Sequence, residues 1–176
     1  SEYGLGKGSI GEAYYPQIYL GGFYDLATGT FSDLNFDNGA PSERKIMLDH
    51  AKNNKHKTLY IVDAGYNGMA HIYFTQKYGH HLLMELKRNK LKDEFRKSRK
   101  RSQVIEVKLK KGNLLNFPKH QKLIGEKIKI RFIRTKGTTK LRSKILVTTL
   151  IDEEKYKWLD LAKLYIQRWK IELAFR

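Results

Sequence analysis

Two short apolar runs constrain the fold of this chain more than any other feature: TLYIV at residues 58–62 and HLLMEL at residues 81–86. A strand that is apolar without alternation is buried on both faces, which happens inside a sheet covered by helices. The segment between the runs opens with Asp63-Ala64-Gly65-Tyr66-Asn67-Gly68 and reads as a helix to about Tyr78. Upstream, residues 17–25 and 30–37 read as a strand hairpin turning at Ala27-Thr28-Gly29. Pro41-Ser42-Glu43 then opens a helix to about Asn53, with Ile46, Met47 and His50 on its inner side. Residues 1–13 read as loop. Their Gly6-x-Gly8-x-x-Gly11 pattern follows no strand and precedes Tyr14-Tyr15-Pro16, so it is not a dinucleotide-binding fingerprint. The chain is expected to be α/β.

The charge of this chain is localised. The net charge is +17, yet residues 87–144 hold 22 basic and 4 acidic side chains, and the segments on either side are nearly neutral. A neutral frame carrying one intensely basic segment points to a polyanion, of which nucleic acid is the commonest. KRNKLKDEFRKSRKRS alone would fit a solvated loop. The alternating stretches VIEVKLK, KIKIRFIR and SKILVTTL argue instead for strands that hold the charges on a surface. Lys97, Arg99, Lys100 and Arg101 are expected to contact phosphate, and Lys127, Lys129 and Arg131 to share one strand face suited to tracking a duplex. Phe95 is the main aromatic there, so contacts to the backbone are favoured over stacking on bases. The expected division is a core at 1–86, a basic β-rich insertion at 87–144 and a return to the core at 145–176. The chain has no cysteine, hence no disulfide framework or thiolate chemistry. It shows no signal-peptide pattern and no apolar run of membrane-spanning length, and so no membrane association is expected.

The closing stretch LYIQRWKIELAFR carries a contradiction. From Trp158 onward the spacing predicts one helix, with Asp160, Lys163, Gln167 and Lys170 on a polar edge. Trp158, Leu161, Tyr165, Trp169 and Phe175 spread over the apolar face, and Arg168 and Glu172 fall in the middle of it. A carboxylate withdrawn from water needs a cation, a metal or hydrogen-bond donors. An Arg168–Glu172 pair at i, i+4 is one answer, worth only about 0.3 kcal/mol if exposed. A second acid, Asp63, directly follows the first buried strand, where ligand chemistry gathers in open α/β sheets; a turn-capping role is the alternative. Two acids meeting in a site need a cation between them. Mg²⁺ suits hard oxygen ligands and keeps waters or phosphate oxygens as its others.

The order Tyr165-x2-Arg168-x3-Glu172 resembles the Y-x2-R-x3-E-x6-K signature of DDE transposases of bacterial insertion sequences, insertion-sequence family 4 type. Tyr15-Pro16-Gln17, Asp25-Leu26-x2-Gly29 and strand–Asp63-x-Gly65-Tyr66 resemble that family in order and spacing; Ala64 stands where many members have Arg. The signature's Lys would fall three residues past Arg176, so the chain is expected to be a fragment of a longer protein. The resemblance implies a ribonuclease-H-like fold and Mg²⁺-dependent (or Mn²⁺-dependent) cleavage and joining of double-stranded DNA at transposon ends. It implies Asp63 and Glu172 as catalytic metal ligands, Tyr165 and Arg168 beside the end phosphates, a homodimer on DNA and action in the cytoplasm at the nucleoid. The first acid of the triad is placed before Ser1, with Asp25 as the alternative. A non-catalytic nucleic-acid-binding module and a nuclease without strand transfer are the competing readings.

Overall fold

The structure is a computed structural model that describes residues 5–7, 12–16, 19–37, 42–66, 68–86, 95, 100–136 and 143–175. Two hairpins come first: β1 (Leu5–Lys7) with β2 (Glu12–Pro16), and β3 (Tyr19–Asp25) with β4 (Thr30–Asp37). The loop expected over residues 1–13 is therefore corrected in part. Gly6 lies on β1, and the described part of the glycine pattern opens no helix.

Helix α1 (Glu43–Asn53) follows, then β5 (Leu59–Val62), α2 (Met69–Lys77) and β6 (His81–Glu85). Helix α1 buries Met47, Leu48 and Ala51 on one face. Helix α2 is buried almost all round and sits inside the molecule. It stops at Gly79, whose positive φ of 86° lets the chain reverse while His80 N–H bonds to the Thr75 carbonyl. The two apolar runs pair in parallel, Leu59 with His81 through Val62 with Met84, as their composition requires.

Three more strands extend the same sheet. They are β7 (Ser102–Lys108), β8 (Lys127–Arg134) and β9 (Ile145–Thr148), and the order is β5-β6-β9-β8-β7. The β9, β8 and β7 junctions are antiparallel. The alternating strands of the basic segment thus hydrogen-bond directly into the core sheet. This is the mixed α/β, ribonuclease-H-like class expected from the sequence.

The sheet separates two cores. Tyr60, Leu82, Met84, Ile130, Phe132 and Val147 face α1, α2 and two 3-10 turns at Lys111–Leu114 and Pro118–Leu123. Phe95 belongs to this core, fully buried and stacked on Phe132 at 5.4 Å. It is therefore not a platform for bases. Leu83, Ile133, Leu146 and Leu150 face the other way, against α3 (Trp158–Ile166).

The single closing helix expected from Trp158 onward is two. Helix α3 ends at Ile166 and α4 spans Trp169–Ala174. Between them Gln167, Arg168, Lys170 and Ile171 each donate to the residue three back, which tightens one turn without breaking the helical path. The tightening rotates the outer half, so Trp169 and Phe175 are 55% and 46% exposed rather than core-facing. Phe175 instead rests on Phe31 of β4 at 4.8 Å.

Candidate functional site

Asp63 stands at the carboxyl end of β5, immediately before a 3-10 turn at Ala64–Tyr66. Its Oδ1 accepts the Gly65 N–H, and the turn is fixed from the other side by Arg44 of α1, whose Nε donates to the Gly65 carbonyl at 2.9 Å. A Cβ at Gly65 would lie 2.7 Å from Asp63 Oδ1, so a larger residue there would displace the carboxylate from this turn. Sequence reasoning missed Arg44; the charged first turn of α1 was its only signal. It brings a guanidinium beside the Ala64 position. The Asp63 side chain remains exposed.

Across from this turn, Arg168 Nη1 donates to Glu172 Oε1 at 2.7 Å. The Arg168 side chain is 16% exposed and that of Glu172 39%. Burial opposes the charge on Arg168. The hydrogen bond to Glu172 and the charges of Glu172 and Asp63 together outweigh it, so the guanidinium is held firmly protonated. Its Nε is buried with no hydrogen-bond partner. Asp63 and Glu172 thus act on one guanidinium, from the end of a strand and from the helix.

Tyr165 is buried beside them. Burial pushes its hydroxyl up to about 12, and Glu85 and Asp63 add to the rise while Arg168 opposes it. The hydroxyl is a neutral hydrogen-bonding group across physiological pH. Glu85 at the end of β6 and Lys144 just before β9 complete the surroundings, joined at 2.7 Å. Neither was singled out in the sequence, because their juxtaposition depends on strands 59 residues apart.

The donor chemistry suits a hard divalent cation. Asp63 and Glu172 are carboxylates with solvent access, and Mg²⁺ is commonly held by one or two carboxylates plus water and phosphate. Among the described residues there is no group of three or more His, Cys, Asp or Glu side chains placed to hold a metal. Asp25 does not join the acids. Its Oδ1 accepts the Ala27 and Thr28 N–H groups at the tip of the β3–β4 hairpin, the turn role its sequence context allowed.

The chain matches the family model for the transposase DDE domain over residues 3–176. It belongs to that family. No curated protein and no solved structure matches it.

The cations expected to hold DNA are spread over different settings in this DDE-domain chain. Lys97 and Arg99 lie outside the described residues. Lys100 is exposed. Arg101 lies over the Trp158 ring at 5.0 Å and donates to the Arg134 carbonyl. Lys127 and Lys129 point outward from β8, with Lys127 paired to Glu106 at 2.8 Å. Lys108 is exposed directly opposite Lys127, and two like charges so placed repel unless an anion lies over them.

Arg131 requires a correction. Strand alternation does put it on the face of Lys127 and Lys129, but it is 1% exposed. Its Nε donates to Ser102 Oγ at 2.7 Å, Nη1 donates to the Tyr156 carbonyl, and Glu153 lies 3.4 Å away. The segment leading into α3 covers it, so Arg131 fastens that segment to the sheet and does not reach DNA.

Proposed function

We propose that this chain is the catalytic core of an insertion-sequence-type DNA transposase, cutting and joining phosphodiesters at element ends with Mg²⁺ or Mn²⁺. The observation that carries the reading is the single guanidinium of Arg168, bonded to Glu172 and acted on by Asp63. Asp63 and Glu172 would hold the metal. When bound, it would neutralise phosphate charge and favour both the attacking and the leaving oxygen. Arg168 matches phosphate in a fork, and its unpartnered Nε supplies a spare donor. Tyr165 stays protonated and donates rather than repels.

The third acid is assigned to a strand outside residues 1–176. Among the described residues β5, which leads to Asp63, pairs only with β6, so its other edge can accept a strand. Lys100, Lys108, Lys127 and Lys129, with Lys97 and Arg99, form the phosphate-binding surface for duplex DNA. Two copies act on a pair of ends, at the nucleoid. No helix among the described residues is long and apolar enough to cross a membrane.

In the full-length protein, Asp63→Asn or Glu172→Gln is expected to abolish Mg²⁺-dependent strand cleavage and to leave duplex binding within about twofold. Cleavage by both variants at the normal rate would refute the reading. The shortage of a third ligand among the described residues favours a non-catalytic binding module as the second reading, and that module would show no nicking in the intact protein. A nuclease without strand transfer would cleave but fail a joining assay.

A further inference from the structure

Strands β6 and β9 lie side by side, and Leu86 N–H bonds to the Ile145 carbonyl just beyond their ladder. Beside that bond Glu85 and Lys144 face each other at 2.7 Å, with side chains 27% and 35% exposed. The main chain of Lys144 is fixed as well. It donates to Thr135 Oγ1 and accepts the Thr135 N–H, each at 2.9 Å.

A half-exposed ion pair contributes little to stability. The placement of this one is more informative than its strength. Lys144 Nζ lies 5.7 Å from the centroid of the Tyr165 ring, a cation over an aromatic face. The charge of Glu85 acts on the Tyr165 hydroxyl, which in turn neighbours Arg168. Arg168 holds Glu172. Charged and aromatic neighbours therefore run from the Glu85–Lys144 pair through Tyr165 and Arg168 to Glu172, with the charge of Asp63 acting on Tyr165 and Arg168.

We propose that Glu85 and Lys144 are positioning residues: the pair clamps Tyr165, and through it sets Arg168 for phosphate, so that the ends of β6 and β9 and the acidic site are held in one register. The proposal rests on the reading of Asp63, Arg168 and Glu172 as the strand-cleavage site. It assigns Lys144 to the geometry of the site and not to the general attraction of DNA.

The test compares Glu85→Gln, Lys144→Gln, Lys144→Met and Lys144→Arg in the full-length protein. Lys144→Met keeps an apolar stem on the ring and stands in if Lys144→Gln does not fold. Two quantities are read: cleavage of a duplex carrying the element end, split into kcat and KM, and the ¹³C resonance of the Tyr165 ring, identified by its loss in Tyr165→Phe. Loss of either charge is expected to lower kcat about tenfold with KM within about twofold, and to shift the Tyr165 resonance. Lys144→Arg should restore both, which a role in stability alone would not predict. A rise in KM at constant kcat would make Lys144 a backbone contact and overturn the proposal. A Tyr165 resonance unmoved by Glu85→Gln and by Lys144→Met would overturn it also. If the unaltered protein does not cleave, the proposed function fails on its own, and the resonance decides the clamp: a shift supports it, no shift refutes it.

Discussion

Arg131 and Arg168 lie towards the same face of one sheet, both largely withdrawn from solvent, and they do different things. Arg131 is a fastener: its Nε donates to Ser102 and its Nη1 to the Tyr156 carbonyl, with Glu153 beside Nε, and all three belong to strands or connections that need fastening. Arg168 is not. It holds Glu172, keeps a buried Nε without a partner, and lies under the charge of a second acid across a chain break in space. A buried guanidinium bonded both to a strand and to the segment that covers it is a fastener. One with an idle donor beside carboxylates is poised for an anion.

The largest effect should come from the fastener. Arg131→Ala removes the donors to Ser102 and the Tyr156 carbonyl and is expected to destabilise the fold by about 2–3 kcal/mol, read by urea unfolding. Arg168→Ala should cost about 1 kcal/mol in the same assay while abolishing strand cleavage. Equal destabilisation by the two would erase the distinction.

A third buried group sharpens it. His71 on α2 has an Nδ1 without a partner, and burial, then Arg44, depress its pKa from 6.5 to about 4. It is therefore kept neutral, with a ring nitrogen that has no hydrogen-bond partner. Above pH 6.5 its contribution is unaffected. As pH falls from 6.5 to 4 the unfolded chain takes up a proton that the folded one refuses, so stability should fall by on the order of 3 kcal/mol and then level. His71→Phe should remove that part of the pH dependence; an unchanged difference between pH 7 and pH 4 would reject the assignment.

The smallest effects belong to the open end of the same face. Lys127→Gln and Lys129→Gln should leave unfolding unchanged and each lower the slope of log affinity against log salt for duplex DNA by about 1. An unchanged slope in both would remove β8 from the DNA surface.

The contrast between the two arginines was only half visible in the sequence. The apolar runs at 58–62 and 81–86 announce their parallel pairing, because nothing but burial on both faces tolerates such composition. The alternation of KIKIRFIR places Lys127, Lys129 and Arg131 on one face, and they do share it. What covers Arg131 is the 153–156 segment, a distant piece of chain whose approach no local pattern encodes. Arg168 and Glu172 were legible as charges on an apolar stripe, and Asp63 as the residue ending a buried strand. The tight turn between α3 and α4 was not legible, since no Gly or Pro marks it. Nor was the hairpin at residues 5–16, where glycines read as loop. Glu85 and Lys144 meet only because β6 and β9 are neighbours in the sheet.

The central claim is that Asp63 and Glu172 share a divalent ion beside Arg168. Replacing Mg²⁺ with Fe²⁺ and generating hydroxyl radicals at the bound metal tests it directly, since the backbone is cut where the metal sits. The account predicts scission close to residues 63 and 172 together, lost in both Asp63→Asn and Glu172→Gln. Scission elsewhere, or scission that survives both substitutions, would contradict it.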